Sequence, residues 1–209
     1  GSMNLTSLTT LFTLAFPQLA TVNSLQWIHL NALQQLSFGS GITSASSILI
    51  SDTQLNSLDG INLSTIDSLD INNNPYLEVV NSQISSVTKS LNIVSNGQNL
   101  KVAFPNLTFS YNMTLGNITS LSFPSLTTIN TTLGFYGNTV QSILAPNLTS
   151  VGDELAFVGN PSLANISMPA LQTIVGGFTI AQNAALLTID GFSALKTTGA
   201  IVLNGTFSR

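Results

Sequence analysis

The chain contains the segment Leu155-Ala156-Phe157-Val158-Gly159-Asn160-Pro161-Ser162-Leu163-Ala164-Asn165-Ile166-Ser167-Met168-Pro169-Ala170-Leu171-Gln172-Thr173-Ile174, and most of its architecture follows from it. This is the clearest copy of a unit of about 22 residues that recurs from one end of the chain to the other. The unit reads L-x-[IF]-x-x-N-P-x-L-x-x-I-x-[FM]-P-x-L-x-x-[IV]. A constant period of this length indicates a solenoid, in which each coil buries its apolar side chains against the neighbouring coils.

Three columns of residues repeat with this period. An asparagine column is preceded by two apolar columns, and the alternation is typical of a short strand with one buried face. Buried asparagines can cap backbone N–H groups at turns, so we expect a ladder of asparagines along the stack. In the less regular repeats near the start, Leu30 and Thr53 occupy the asparagine position. The columns consist of Asn74, Asn96, Asn138, Asn160 and Asn183; of Leu69, Leu91, Leu133, Leu155 and Phe178; and of Ile71, Ile93, Phe135, Phe157 and Ile180.

A second corner of each unit carries proline, as in Phe104-Pro105-Asn106-Leu107 and Met168-Pro169-Ala170-Leu171. Proline and the Asn-Pro and Asn-Gly steps end strands at fixed points, and the segments between them are too short for helices. We therefore predict an all-β fold: a parallel β-solenoid with strands on two or three sides, about nine or ten coils and little helix. Residues 4–209 are expected to form a single repeat solenoid domain, and residues 1–3 resemble a cloning remnant.

The composition excludes several classes of function. Charged residues make up 6% of the chain, with four basic residues against eight acidic ones. A nucleic-acid-binding protein needs a basic face to neutralise phosphates, so no nucleic-acid partner is expected. No apolar run reaches the length of about 18 residues that a transmembrane helix requires. The chain has no cysteine, so coil stacking and not disulfides must hold the fold together.

Nine N-x-[ST] sequons occur in the sequence. A chain rich in Asn, Ser and Thr produces this motif by chance, but two observations favour glycosylation. The low charge leaves the surface short of polarity, which attached sugars would supply, and most of the sequons fall at positions predicted to point outward. We therefore predict a secreted eukaryotic glycoprotein. The candidate glycosylation sites are Asn4, Asn62, Asn106, Asn112, Asn117, Asn130, Asn147, Asn165 and Asn204.

No arrangement in the sequence is convincing as an active site. His29 is the only histidine, and with no cysteine and scattered carboxylates neither a metal site nor a Ser-His-Asp triad is expected. The nearest carboxylate pairs, which a glycosidase would need, are Asp67 with Asp70 and Asp153 with Glu154. We interpret them as turn and surface residues. We therefore predict no catalytic residue, no metal ligand and no cofactor.

The outward columns of the strands offer a candidate binding surface. Small, uncharged residues follow one another there, and a flat, weakly polar sheet face is suited to contact with a ligand or with neighbouring glycans. Tyr76 and Tyr111 are further candidates for sugar contact through their rings. The candidate contact face consists of Gly134, Tyr136, Ala156, Val158, Thr179 and Ala181. A further alternative is an ice-matching surface formed by a row of hydroxyls at Thr21, Thr128, Ser150, Thr173 and Thr197.

Several of these motifs resemble the repeats of fungal GPI-anchored cell-wall organisation glycoproteins, the extracellular-mutant and sporulation-specific family. They are the F-P-x-L-x-x-[IV] corner, the N-P-x-L step and the stretch Ile189-Asp190-Gly191-Phe192-Ser193-Ala194-Leu195-Lys196-Thr197. The resemblance covers residues 5 to 205. It implies a right-handed β-solenoid similar to the receptor L domain and to leucine-rich repeats, with no established catalytic residues. It also implies a place in the cell wall or at the outer face of the plasma membrane, with a GPI anchor in the full-length protein. Family members usually carry cysteines in flanking segments, and this chain has none.

One function is favoured and two alternatives stay open. We expect a non-catalytic, secreted cell-surface glycoprotein that acts in wall organisation and integrity as a structural or adhesive module. Its expected partner is a cell-wall polysaccharide or another wall protein. The first alternative is an L-domain-like module that recognises a ligand, as a surface receptor or a secreted effector. The second is a carbohydrate-active enzyme, which would depend on one of the carboxylate pairs.

Overall fold

The computed structural model describes residues 1–207, which form 21 β-strands and no helix. Within this range, therefore, no helix is available to cross a membrane. The strand content confirms the predicted all-β class. The strands are β1 (Met3–Thr6), β2 (Thr13–Ala15), β3 (Ser24–Leu30), β4 (Gln35–Ser37), β5 (Ser47–Thr53), β6 (Thr65–Asn72), β7 (Val79–Asn81), β8 (Ser86–Val94), β9 (Lys101–Ala103), β10 (Phe109–Ser110), β11 (Met113–Gly116), β12 (Ser120–Ser122), β13 (Thr128–Ile129), β14 (Leu133–Tyr136), β15 (Ser142–Leu144), β16 (Ser150–Val151), β17 (Leu155–Val158), β18 (Asn165–Ser167), β19 (Thr173–Ile174), β20 (Phe178–Ala181) and β21 (Ile201–Asn204).

The first side of the solenoid is a sheet of parallel strands in the order β1-β3-β5-β6-β8-β11-β14-β17-β20-β21. Each strand pairs with the equivalent strand of the next coil, and partners in register are separated by about one repeat unit. Leu155, for example, pairs with Leu133 in one neighbouring strand and with Phe178 in the other. Nine steps of about 4.8 Å give a rod about 43 Å long. We number the coils 1 to 10 after these strands, so β3 lies in coil 2, β5 in coil 3 and β21 in coil 10.

Two further sides complete each coil. The second side consists of short parallel sheets, β2-β4, β7-β9-β12 and β15-β18. The third side consists of β10, β13, β16 and β19, which pair in that order, and β10 also pairs with Ser86 and Val87 at the start of β8. The asparagine corner separates the first side from the second, and the proline corner separates the second side from the third. The prediction of strands on two or three sides is confirmed, with three.

The inward columns form the core. Every member of the two apolar columns predicted from the repeat is buried, and Trp27 of coil 2 is buried with them. The rings of Phe123, Phe135 and Phe157 stack along the axis, with centroids 6.1 and 5.0 Å apart. Because parallel, in-register pairing places equivalent residues above one another, each coil depends on its neighbours to cover its apolar side chains.

The asparagine corner contains the predicted ladder. Each of the five ladder asparagines is buried, and each bridges to the preceding coil through both ends of its amide. At Asn160, Oδ1 accepts the backbone N–H of Asn138 at 2.8 Å, and Nδ2 donates to the carbonyl oxygen of Phe135 at 3.1 Å. These bonds satisfy buried backbone groups that the corner would otherwise leave unpaired.

The ladder falls into two runs. Thr53 and Leu30 occupy the asparagine position of coils 3 and 2, as predicted, and Thr53 donates its hydroxyl to Asn74 Oδ1 at 2.7 Å. In coil 6 the position belongs to Ile118, whose buried side chain has no acceptor to offer the preceding coil. One run therefore extends from Thr53 through Asn74 to Asn96, and the other contains Asn138, Asn160 and Asn183.

A residue in the left-handed backbone conformation stands directly before the asparagine position in coils 1 to 9, a regularity that the sequence pattern did not reveal. The φ angles at these positions lie between 54° and 67°. Two of the residues are glycines, which adopt this conformation without strain, and three are Asn or Asp, which tolerate it better than most residues. The residues are Ser7, His29, Asp52, Asn73, Ser95, Asn117, Gly137, Gly159 and Gln182.

The two ends of the described chain differ. Met3, which lies within the expected cloning remnant, is the first residue of β1 and pairs in register with Leu25. At the other end, all four residues of β21 are exposed, including Ile201, Val202 and Leu203. The inward column therefore loses its cover at coil 10.

Candidate functional site

The carboxylates of the first predicted pair lie in separate polar networks. Asp67 accepts hydrogen bonds from Thr88 Oγ1 at 2.6 Å and from Lys89 Nζ at 3.1 Å. The bond from Thr88, followed by the bond from Lys89, lowers the pKa of Asp67. Asp70 accepts hydrogen bonds from two asparagine amides at 2.8 and 2.9 Å. A general acid needs a raised pKa, so Asp67 is unsuited to that role.

His29 lies at the left-handed position of coil 2 and at the surface. Its Nδ1 is 3.2 Å from Asp52 Oδ2, on the equivalent residue of coil 3. Between residues 1 and 207, no group of three or more His, Asp or Glu side chains is placed to hold a metal ion. His29 is thus an exposed side chain beside Asp52 of the next coil.

The candidate contact face lies on the outer surface of the first side, but it is unevenly open. Tyr136 turns its ring back over Gly134, where a Cβ would collide with the ring. Gly134 is covered for this reason, and Ala156 is 1% exposed, whereas Tyr136 is 38% exposed. Loss of solvation, and then the charge of Glu154, raise the pKa of Tyr136. Glu154 in turn accepts a hydrogen bond from Thr179 Oγ1 at 3.2 Å. The half-buried members of the face are Val158, Thr179 and Ala181.

The predicted row of hydroxyls is present on the third side, where Thr128, Ser150 and Thr173 pair in register. These three residues are half-buried. A neighbouring row donates its hydroxyls to main-chain carbonyls of the preceding coil, as Thr127 does to Thr108 O at 2.8 Å. The hydroxyls of that neighbouring row therefore tie successive coils together.

The structure separates the asparagines into two groups. The nine sequon asparagines are all exposed or half-buried, whereas the five ladder asparagines are buried and none lies in a sequon. Asn160 comes nearest to an exception, but Pro161 follows it and disqualifies the N-x-S motif. Four of the nine donate Nδ2 to the preceding coil, namely Asn62, Asn106, Asn117 and Asn147. Occupancy of the nine sites stays a prediction.

A groove on the asparagine corner is the site that the sequence pattern missed. It has a volume of about 520 Å³ and is lined by Gln34 and Gln35 of coil 2, Gln54 and Asn56 of coil 3, and Tyr76 of coil 4. Gln34 Nε2 donates to Gln54 Oε1 at 2.9 Å, and Gln54 Nε2 donates to a main-chain carbonyl of coil 2 at 2.6 Å. These bonds connect the amides of coils 2 and 3 along one side of the groove. Tyr76 lies on the other side, and its side chain is 60% exposed.

The groove exists because coil 3 has one residue fewer at this corner than the coils on either side. In coils 2 and 4, two residues separate the asparagine position from the next buried leucine. The N–H of that leucine closes a turn onto the carbonyl of the asparagine position, at 2.9 and 3.1 Å. In coil 3 only Gln54 separates Thr53 from Leu55, and Leu55 N donates instead to Thr53 Oγ1 at 3.3 Å. The corner of coil 3 is therefore recessed between its neighbours.

Only Tyr76 among the five lining residues is a candidate for ligand contact in the sequence. The other four are amides in the least regular repeats, where no motif distinguishes them from the many polar residues of the chain. The signal that points to the groove is a spacing: once Thr53 is placed in the asparagine column, Leu55 comes one residue too early.

Similarity to other proteins extends along the whole chain. It is 43% identical over 209 residues to protein ecm33 of Aspergillus fumigatus, covering 100% of this chain and 52% of the relative. It is 41% identical over 176 residues to a cell surface GPI-anchored protein of Arthroderma benhamiae, covering 83% of this chain and 45% of the relative. It is 34% identical over 211 residues to sporulation-specific protein 2 of Saccharomyces cerevisiae, covering 100% of this chain and 42% of the relative.

The chain spans about half the length of these curated relatives. No family model matches it. No solved structure matches it either.

Proposed function

The chain belongs to the fungal family of cell-wall and GPI-anchored cell-surface proteins represented by these relatives, and from that premise we propose that it is a non-catalytic structural or adhesive module of the wall. The relatives that the chain matches include proteins named as cell surface GPI-anchored protein, cell wall mannoprotein and cell wall protein. The expected location, secreted and at the wall or the outer face of the plasma membrane, is thereby confirmed. The structural or adhesive role, and the anchor of the full-length protein, are part of the proposal.

The observation that carries the proposal is the separation of the asparagines. If the sequons were a by-product of an asparagine-rich composition, they would be expected on ladder positions as well as on the surface. Instead every sequon asparagine is at least partly accessible, and every ladder asparagine lacks the motif. A surface arranged in this way supports a glycan-bearing rod, whose sugars would supply the polarity that 6% charged residues do not.

The contacts of the surface carboxylates support a binding or structural role more than a catalytic one. Asp67, Asp70 and Glu154 each accept hydrogen bonds from a hydroxyl, an amide or a lysine. A glycosidase needs two carboxyl groups facing one substrate with clearly different pKa values. The stacked coils, by contrast, provide a rigid scaffold that can present binding groups at fixed intervals.

Two measurements test this function. The first is retention of the purified 209-residue chain on isolated fungal cell walls, with release of reducing sugar ends followed in the same samples. We expect retention without turnover. Turnover that disappears in Asp67→Asn or Glu154→Gln would show an enzyme, and a chain that stays in the supernatant would contradict an adhesive module.

The second measurement is the occupancy of the sequons in protein secreted from a fungal host, determined by mass spectrometry after enzymatic removal of the glycans. Because the nine side chains are accessible, we expect several of them to be modified and no ladder asparagine to be modified. Absence of modification at all nine would remove the observation on which the proposal depends.

A further inference from the structure

We propose that the groove on the asparagine corner binds a segment of a neutral polysaccharide. Tyr76 provides the ring against which a sugar packs, and the amides of Gln34, Gln54 and Asn56 bind its hydroxyl groups. The inference rests on the proposed function, because it names the class of wall component that the module would hold. It adds a definite surface and definite contact residues to that function.

The charge of the groove disfavours an anionic ligand. The five lining side chains are four amides and one phenol, and no basic side chain of residues 1–207 is among them, while Asp59 and Glu78 line the adjoining depressions. A phosphate, a uronic acid or an acidic peptide would therefore find no counter-ion at this site. Each Gln or Asn amide presents both an acceptor and a two-proton donor. Sugar hydroxyls also donate and accept, so a row of amides can match them in more than one orientation.

Tyr76 supplies the apolar contact that amides cannot. Its side chain is 60% exposed at the turn that follows Pro75, so it contributes little to the core. The flat face of a phenol ring suits the C–H face of a pyranose ring, and a tyrosine loses little conformational entropy when a ligand covers it. The ring of Tyr76 can therefore bind one sugar unit by stacking, while the amides opposite it orient the neighbouring units.

The site is longer than a single sugar, as a polymer requires. Gln34, Gln35 and Asn56 also line an adjoining depression of about 260 Å³. Tyr76 also lines a depression of about 250 Å³ that reaches Gln98 and Asn99 of coil 5. The combined surface runs from coil 2 to coil 5, a distance of about 14 Å at 4.8 Å per coil.

The predicted glycans do not begin in this groove. None of the nine sequon asparagines lines it or either adjoining depression. Two of them, Asn62 and Asn106, lie in coils 3 and 5 but at the proline corner, where their Nδ2 groups donate to residues of the preceding coil. The groove is thus accessible to a sugar chain that comes from elsewhere in the wall.

The test uses the 209-residue chain, produced without glycans, and four probes: β-1,3-linked glucohexaose, β-1,6-linked gluco-oligosaccharide, mannohexaose and chitohexaose. Isothermal titration calorimetry gives the Kd of each. We expect at least one probe to bind. Loss of the stacking ring in Tyr76→Ala should weaken that probe about five- to tenfold, and Asn56→Ala about two- to fivefold. The matched control is Tyr111→Ala, which removes a tyrosine that is 43% exposed on the other side of the coil and should leave the Kd unchanged.

Several outcomes contradict the groove site specifically. They are absence of binding to all four probes, equal Kd values for the unmodified chain and for both groove variants, or an equal loss in Tyr111→Ala. Capture of a wall protein, and of no sugar, through Tyr76 would also contradict it. Circular dichroism identifies a variant that fails to fold, in which case the other groove variant decides.

Retention on whole cell walls distinguishes a failure of the groove proposal from a failure of the proposed function. A chain that is retained on walls equally well with and without Tyr76→Ala contradicts the groove and leaves the wall module intact. A chain that binds an oligosaccharide in the groove but is not retained on walls contradicts the wall module and supports the groove.

Discussion

The asparagine corner is built in two ways along the same rod. In coils 8 and 9, Asn160 and Asn183 follow one another, their amides bond to each other, and each is followed by a full turn that a buried leucine N–H closes at 3.2 and 3.0 Å. In coils 2 to 4 the same position is held by Leu30, Thr53 and Asn74, and the corner of coil 3 is one residue shorter. The first arrangement gives a regular wall, and the second gives a groove.

In both arrangements a residue in the left-handed backbone conformation precedes the asparagine position, and the inward apolar columns of the first side are buried. The difference therefore separates two properties of the corner. The side chain at the asparagine position decides how well the backbone groups of neighbouring coils are satisfied. The number of residues after that position decides the shape of the surface, because the stack tolerates a shorter turn where a side chain can replace its hydrogen bond.

The largest effect is expected where the ladder is continuous. Asn160→Ala removes the acceptor of the Asn138 N–H and the donor to Phe135 O, both of which are buried. We expect a loss of about 3 kcal/mol or more in the free energy of unfolding, because these groups lose their partners away from water. Urea denaturation of the unglycosylated chain measures it.

The control for Asn160→Ala is Asn130→Ala, which changes an exposed asparagine and should alter the free energy of unfolding by no more than about 0.5 kcal/mol. A loss at Asn160 as small as that at Asn130 would mean that the ladder does not stabilise the stack, and the contrast between the two runs would lose its energetic meaning.

A smaller effect is expected in the other run. Thr53→Val keeps the shape of the side chain but removes the hydroxyl that donates to Asn74 Oδ1 and accepts from Leu55 N. We expect a loss of about 1–2 kcal/mol. Thr127→Val, which removes an exposed hydroxyl bond to the preceding coil, should cost about 0.5 kcal/mol. Equal losses in the two variants would show that Thr53 is not what allows the short corner.

An effect on stability smaller than that of Thr53→Val should come from making the two runs alike. Replacement of Thr53-Gln54-Leu55 by the segment Asn-Pro-Ser-Leu gives coil 3 the corner of coil 8. We expect the free energy of unfolding to change by about 1 kcal/mol or less, since the lost hydroxyl bond is replaced by a ladder amide and a regular turn. The groove should fill, and calorimetry should then detect no sugar binding.

The matched change lengthens another short corner, at Asn138-Thr139-Val140, with the same four-residue segment. Sugar binding should survive there, because this corner does not line the groove. Binding that persists after the change in coil 3, or that disappears after the change in coil 7, would contradict the role of the recessed corner.

Much of the fold was predictable because its signals are periodic. The inward columns, the asparagine ladder, the placement of Leu30 and Thr53 in that column and the proline corner all repeat with the chain period, and the structure confirms each of them. The left-handed column was missed because its nine positions carry six residue types. The constraint acts on the backbone, so no consensus residue appears in the sequence. The break of the ladder at Ile118 was missed because a single apolar substitution is invisible in a degenerate repeat.

The candidate site shows the opposite balance. The accessibility of the sequon asparagines agrees with their predicted outward placement, but Gly134 of the candidate contact face is covered by the ring of Tyr136. Residues two positions apart on a strand share a face, and their sequence does not show which side chain folds over which. The groove depends on Gln34, Gln54 and Tyr76, which lie in three different coils, and their proximity follows from register and corner length together.

The order of residues along the chain thus dictates the solenoid, because hydrophobic alternation and turn residues act locally and the period repeats them until one stacking register remains. The shape of the surface is not determined in this way. Which coil is recessed, which tyrosine stands free and which amides meet across a corner depend on how coils of unequal length lie beside one another, and those contacts join residues about one repeat apart that are brought together only after the stack has formed.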